Sequence, residues 1–422
     1  MNDLIAIDHR RPRARVLLAL AAIAVLLFGW FSIRNQLGNL LATLTQESDP
    51  NLVDVSKIAN GLAPSDPAAF ALAAAASDTS GAVVALENAV RHAPSDFRWR
   101  TELGRAYEQN GDTGKAEEQL LTAVRLAPNY SYARWHLGNF YVRQEQPEKA
   151  FAELKLAAEN SPIYREQVFS LLWDYSGKDP EPLERIAAER PEMKARLAYF
   201  FAARGRAPEA LRNWNQLSES EKGSNTAIAR SIALGLFDQK HFAEALEFAR
   251  QYGSENEAVA GAVTNGGFEK AIGDNEESRF GWTVIRNDPK FEAAPDPRVR
   301  KSGNRGLRLN FKGSSKPAFA NILQTVVVES GGKYRLSAFV RTESLRSAGM
   351  PMIEILSAND DKSLALSKPF LSGTNDWQEV VIEFTVPQGT NGVTIRTVRE
   401  FCGEECPITG LLWYDDFVLT KA

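Results

Sequence analysis

The residues able to do chemistry are unevenly spread along this chain. Its four histidines are His9, His92, His136 and His241. None follows residue 260, so the last third cannot by itself build a serine–histidine or cysteine–histidine nucleophile. Acids are plentiful, but nothing in their spacing selects a pair for glycoside hydrolysis. No glycine-rich phosphate loop or metalloprotease motif is present. What the last third offers instead is alternation. Over residues 334–341, Tyr334, Leu336, Ala338 and Val340 share one face, and Arg335, Ser337, Phe339 and Arg341 share the other. Glu354 opposes Ile353 and Ile355, and Arg396 opposes Val393 and Ile395. If these strands are neighbours, Phe339, Arg341, Glu354 and Arg396 line one shallow cleft. A flat ring for the C–H face of a sugar and charged forks for its hydroxyls are what such a ligand needs. Trp282 is a further candidate platform. The alternative is a solvated sheet face laced with salt bridges.

Those side chains need a sheet beneath them. After about residue 260 an alanine-rich pattern gives way to short alternating runs between Gly, Asn, Asp and Pro turns. The alternation predicts strands over residues 306–311, 321–328, 334–341, 351–356, 377–386, 393–399 and 411–419. Seven short strands argue for an antiparallel sandwich. Residues 262–422 are enough for a domain with its own core.

Upstream, one spacing of 34 residues recurs. Leu103-Gly104 reappears as Leu137-Gly138, Tyr107 as Tyr141 and Ala116 as Ala150. Leu120 reappears as Leu154, Ala123 as Ala157 and Pro128 as Pro162. Ala82, Leu86, Ala89 and Pro94 supply half a unit more. The pattern resembles the tetratricopeptide repeat, a helix–turn–helix unit with small residues where its helices touch. The resemblance implies an all-α solenoid over residues 63–256 that docks a protein partner. Units 97–130 and 131–164 match best. A shortened, irregular unit covers about 165–190. Leu197, Phe201, Ala210 and Trp214, then Ile232, Leu236, Ala245 and Phe248, restore the spacing.

The terminal module opens on Asn265-Gly266-Gly267-Phe268-Glu269, followed by Gly281-Trp282 and by Gly306-Leu307-Arg308-Leu309. Residues 334–341 follow, then Trp377 leading Phe384-Thr385-Val386-Pro387, and finally Trp413-Tyr414-Asp415-Asp416-Phe417. In this order it resembles carbohydrate-binding modules of the cellulose/xylan-binding type, with a galactose-binding-like jelly roll. The resemblance implies glycan binding and a structural calcium ion, with Glu269 and Asp416 as its carboxylate ligands. It assigns Trp377 and Trp413 mainly to packing. Related jelly rolls also bind proteins or lipids.

The chain also has an address. Arg10, Arg11, Arg13 and Arg15 precede an uninterrupted apolar run of 18 residues, 16–33, with Trp30 and Phe31 near its end. At about 1.5 Å per residue the run nearly spans a hydrocarbon core of about 30 Å. The arginine excess predicts a cytoplasmic segment 1–15 and exported domains. The alternative is a cleaved signal peptide, but Phe28-Gly29-Trp30-Phe31 suits cleavage poorly. Residues 34–62 read as a stalk. Net charge is −4, which gives no basic field for nucleic acid. Cys402 and Cys406 are expected to pair in an oxidising compartment, with two free thiols as the alternative.

The expectation is multidomain: a transmembrane helix, a tetratricopeptide-type solenoid and a jelly-roll sandwich. The protein is expected to sit in a bacterial inner membrane with periplasmic domains. It would act as a scaffold that docks a protein and binds a surface polymer, and not as an enzyme. The alternatives are an assembly factor whose jelly roll contacts protein, and a glycan-modifying enzyme.

Overall fold

A computed structural model describes residues 12–253, 255–272, 279–286, 288–314, 321–403 and 405–422. His9, Arg10, Arg11 and Glu404 lie outside the described residues. The chain divides into two compact units, residues 1–178 and 179–422.

The first unit holds nine helices among its described residues. They are α1 (Pro12–Leu44), α2 (Leu52–Leu62), α3 (Pro67–Ala75), α4 (Thr79–His92), α5 (Phe97–Gln109), α6 (Thr113–Leu126), α7 (Ser131–Arg143), α8 (Pro147–Asn160) and α9 (Pro162–Tyr175). Helix α1 is long and apolar enough to cross a membrane. It does not stop where the apolar run stops but continues to Leu44. Its last turns fold against the repeats, which corrects the stalk expectation for residues 34–62. A Cβ on Gly38 would lie 2.6 Å from that of Ala63, so only glycine permits this approach. Asn39 Nδ2 donates to Asp66 Oδ2 at 2.8 Å, and the Arg34 guanidinium donates to the Gly61 carbonyl at 2.5 Å. Leu41 and Ala42 pack on a small core of Ala59, Ala69 and Leu72.

The recurrent Leu-Gly pairs have the same cause. A Cβ on Gly104 would stand 2.7 Å from Leu120 Cγ, and one on Gly138 2.7 Å from Leu154 Cγ. Within each pair, glycine on the first helix admits the leucine of the second. Ala116, Ala123, Ala150 and Ala157 are buried at the same crossings. Asp66, Asp78, Asp96 and Asp112 cap successive helices by accepting backbone N–H bonds. Tyr107 donates to Glu87 at 2.5 Å and Tyr141 to Glu117 at 2.9 Å, each tying one helix pair to the previous one.

The second unit opens with α10 (Glu181–Ala187), α11 (Pro191–Ala202), α12 (Ala207–Asn215), α13 (Glu219–Ser224), α14 (Thr226–Asp238) and α15 (Phe242–Gln251). Ten strands follow: β1 (Thr283–Val284), β2 (Phe291–Asp296), β3 (Gly306–Ser314), β4 (Ile322–Val327), β5 (Lys333–Ser347), β6 (Pro351–Ser357), β7 (Ser363–Leu366), β8 (Gly373–Thr385), β9 (Gly392–Arg399) and β10 (Ile408–Lys421). They form two five-stranded sheets, ordered β1-β4-β9-β6-β7 and β2-β3-β10-β5-β8, with every pairing antiparallel. The seven predicted strands are present. The short β1, β2 and β7 carry too little alternation to have been found.

The boundary expected near residue 260 is not where the compact units part. Helix α15 seats on the outer face of the first sheet. A Cβ on Gly392 would lie 2.6 Å from a Phe242 ring carbon, so the strand is bare where the ring rests. Lys240 Nζ donates to the Asn359 carbonyl at 2.6 Å, and Asn359 Nδ2 returns a bond to the Lys240 carbonyl at 3.3 Å. The last helices and the sandwich therefore share one unit. Cys402 and Cys406 are disulfide-bonded, with Cα atoms 5.6 Å apart.

Candidate functional site

Two surfaces collect the chemistry, one in each unit. In the first unit the 34-residue period brings equivalent positions alongside one another. Asp96, Tyr130 and Tyr164 are one such series, and Arg98 and Tyr132 belong to another. The starts of α5, α7 and α9 thereby frame an open groove of about 1100 Å³. Phe97, Trp99, Tyr130, Tyr132 and Tyr164 line it. Phe97 and Tyr130 have ring centroids 4.7 Å apart, and the Arg98 guanidinium stands 5.5 Å from the centre of the Trp99 ring. Tyr130 is 61% exposed, so a flat amphipathic ring stands open on the groove. A smaller hollow of about 490 Å³, between α3, α4 and α5, shares Trp99 and Glu102 with the groove.

The polar side chains of this groove are held in place. Glu102 accepts from Arg105 at 2.7 Å and from the Tyr132 hydroxyl. His136 lies edge-on to Tyr132, with centroids 4.5 Å apart. Burial, together with the positive charges of Arg105 and Arg143, pulls its pKa down to about 4. The ring is therefore neutral at neutral pH. The sequence does contain a signal for the groove, the tyrosines at positions 130 and 164 one period apart.

In the second unit the predicted cleft residues do not come together. Strands β5 and β6 belong to different sheets. Leu336, Ala338 and Val340 face the core, so Phe339 and Arg341 lie on the outer face of the second sheet. Ile353, Ile355 and Ile395 face the same core from the first sheet, which puts Glu354 and Arg396 on the opposite outside surface. There the two are cross-strand partners, with Arg396 Nε 2.8 Å from Glu354 Oε2, and each neutralises the other. Part of that outer face is already covered by α15 through Phe242 and Gly392. Trp282 is also corrected. It is only 4% exposed and packs between Phe268 and Phe417, with its Nε1 donating to the Asn265 carbonyl. A ring spent on the core cannot serve as a sugar platform.

The second sheet keeps an aromatic and cationic surface. Lys301 Nζ stands 4.7 Å from the centre of the Phe339 ring, and the Arg341 guanidinium 5.8 Å from that of Trp413. Trp413 pairs in register with Arg308 on one side and Arg341 on the other, and donates to Asp296 at 3.1 Å. Trp413 is thus buried beneath arginines, whereas Trp377 on β8 stays half-buried.

Glu269 and Asp416 flank Gly267, together with Asp415. A Cβ on Gly267 would lie 3.7 Å from Oδ1 of each aspartate and 3.9 Å from Glu269 Cγ. Hard oxygen donors suit calcium in type. Both Glu269 oxygens, however, accept N–H bonds from Asn304, which hold its carboxyl below the usual range. Asp416 accepts from the Ser302 hydroxyl at 2.7 Å. Asp415 is buried, which raises its pKa, and accepts from the Lys301 backbone N–H at 2.7 Å. Among the described residues no group of three or more His, Cys, Asp or Glu side chains is arranged to hold a metal ion.

Comparison with known proteins bears on the helices first. Residues 68–131 and 103–162 match the tetratricopeptide repeat family model. No curated protein matches the chain in sequence. Three of the solved structures that resemble it illustrate both parts. The CBM22-1–GH10 modules of Clostridium thermocellum endo-1,4-beta-D-xylanase 10B, complexed with xylohexaose, are 17% identical over 39% of this chain and 29% of that one, with a TM-score of 0.26. The chain thus spans under a third of that xylanase structure's length. The CBM22-1 xylan-binding domain of Paenibacillus barcinonensis Xyn10C is 12% identical over 39% of this chain and 97% of its own, with a TM-score of 0.27. MamA protein is 18% identical over 46% of this chain and 97% of its own, with a TM-score of 0.22. Scores this low describe partial overlap, and the architecture rests on the helices and sheets themselves.

Proposed function

We propose that this chain is a membrane-anchored binding scaffold of a bacterial inner membrane, with its N-terminus cytoplasmic and its helical repeats and sandwich periplasmic. The tetratricopeptide repeats hold a protein partner, and the jelly roll holds a glycan, such as a nascent surface polymer. Tethering both beside the membrane raises the local concentration of each for the other. The observation that carries this reading is the aromatic groove across α5, α7 and α9. It offers several half-exposed rings on a rigid frame and no nucleophile–base pair, which is a recognition surface. Glycan binding draws on Phe339, whose ring lies under the Lys301 ammonium, and on Arg341, which lies over Trp413 and has no carboxylate partner among the described residues. Calcium at Glu269 and Asp416 is a secondary part of the proposal. It would replace the Asn304 and Ser302 donors and fasten the chain ends of the module.

Two measurements test the reading. A photo-cross-linking residue at Tyr130 or Tyr164 is expected to capture one defined partner in membranes, and the same residue at Leu126 is not. Indiscriminate capture at all three positions argues against the groove. Separately, residues 179–422, used whole because Phe242 packs on the sandwich, go on a glycan array with and without calcium. Selective binding that falls about tenfold or more in Phe339→Ala or Arg341→Ala is expected, the loss of one or two charge-assisted or stacking contacts. A blank array from folded protein favours the assembly-factor reading. Helix α15 of the same chain already covers part of the first sheet, so the second sheet is the face left for a ligand.

A further inference from the structure

A row of side chains crosses the middle of the second sheet on its outer face. Leu309, Val340 and Leu412 belong to the core, so their chain neighbours Arg308, Arg341 and Trp413 point away from it. Trp413 on β10 pairs in register with Arg308 on β3 and with Arg341 on β5. Neighbouring strands lie about 4.8 Å apart, so the two arginines stem from points about 10 Å apart.

Both arginines are short of acceptors. The Nε of each is shielded from water and makes no hydrogen bond, and a donor in that state is costly. Arg341 has no carboxylate partner among the described residues, and its guanidinium stands 5.8 Å from the centre of the Trp413 ring. Among the described residues the one carboxylate within 4.0 Å of Arg308 is Asp296. That aspartate is already engaged. Its Oδ2 accepts the Trp413 indole N–H at 3.1 Å, and its Oδ1 accepts the Arg298 backbone N–H at 2.9 Å. The Arg308 side chain stays 40% exposed. Lys301, whose Nζ stands 4.7 Å from the centre of the Phe339 ring, adds a third cation two residues along β5 from Arg341.

The rest of the face discriminates among anions. Glu379 pairs with Phe339 and Glu343 with Leu411, on the same outer face, and both acids are exposed. They would repel a continuous layer of lipid phosphates. They leave room for separate negative groups spaced along a polymer.

We propose that this row binds an acidic glycan, one whose sugar rings carry carboxylates, with Arg308 and Arg341 each holding one carboxylate. A guanidinium fork meets a carboxylate through two parallel N–H bonds, a match that no neutral hydroxyl offers. The inference rests on the glycan reading of the jelly roll and deepens it by naming the charge of the polymer and adding Arg308 to the site.

The test uses the full chain in nanodiscs of neutral lipid. Its probes are polygalacturonate, polymannuronate, each polymer after reduction of its carboxyls to alcohols, and phosphatidylglycerol vesicles. At least one polyuronate is expected to bind about tenfold or more tighter than its reduced form. That binding should fall about tenfold in Arg308→Gln and again in Arg341→Gln, one charge-assisted contact each. Arg308→Lys and Arg341→Lys keep the charge and guard against loss of folding, and they should recover part of the affinity because an ammonium lacks the fork. Equal binding of charged and reduced polymers overturns this inference and leaves the glycan reading standing. Binding of no polymer by folded protein overturns both. Vesicle binding that is lost in the glutamine variants, without polyuronate binding, overturns the inference in favour of lipid.

Discussion

Gly392→Val is expected to destabilise the unit of residues 179–422 by about 3 kcal/mol, the cost of overpacking a filled contact. Local propensity predicts the reverse, since valine favours a strand and glycine weakens one. The clash decides the sign. The first carbon added at Gly392 would sit 2.6 Å from the Phe242 ring, and that ring is itself buried. Phe242→Ala alone is expected to cost about 3 kcal/mol through the cavity it leaves. In the double variant the valine should refill part of that cavity. The two effects are then expected to fall short of additivity by roughly 2 kcal/mol, within the range for residues in direct contact. Urea unfolding of the four proteins measures this. Additive costs would mean that α15 does not rest on β9, and the sandwich face would be open to ligand.

Acidification is expected to weaken the first unit through His136. Its folded pKa is pulled down to about 4, mainly by burial and further by Arg105 and Arg143. The unfolded chain would take up the proton near the ordinary value of about 6.5. Between those values the unfolded state binds more protons, so stability rises with pH there and falls as the pH drops. The contribution is complete above about pH 6.5 and has been lost near pH 4. A full shift of this size corresponds to about 3 kcal/mol, and partial exposure of the ring reduces that to roughly 2 kcal/mol. Denaturant midpoints between pH 7 and pH 4.5, for the parent and for His136→Gln, check it. The variant should lose most of the slope. Parallel curves would show that His136 is freely solvated and does not sit in the packed wall of the groove.

Much of the architecture was legible in the residues because it follows from short-range periodicity. The recurrence of the Leu-Gly pairs marked a helical repeat, and the structure adds its reason, since Leu120 and Leu154 fill the gaps that Gly104 and Gly138 leave. Alternation marked the long strands β3, β4, β5, β6, β8, β9 and β10, whose core faces repeat every second residue. The site was less legible. Alternation put Phe339 and Arg341 on one outward face, and Glu354 and Arg396 on another, but it is silent on which strands share a sheet. Trp282 looked like a platform because an aromatic residue in a turn-rich segment has no period to reveal its burial.

By itself the sequence determined local matters: an apolar helix long enough to cross a membrane, a 34-residue helical period, and strands with one apolar face. Each depends on neighbours within a turn or two of chain, where the backbone repeat sets which side chains coincide. Tertiary structure alone decided the rest. It divided β5 from β6 between two sheets, turned the presumed stalk back onto the first repeat at Gly38, and seated Phe242 on Gly392. It also gathered Phe97, Tyr130 and Tyr164 into one groove. Apart from the repeat period that aligns Tyr130 with Tyr164, these depend on contacts between residues far apart in the chain, chosen by the global burial of apolar surface, and no local pattern encodes them.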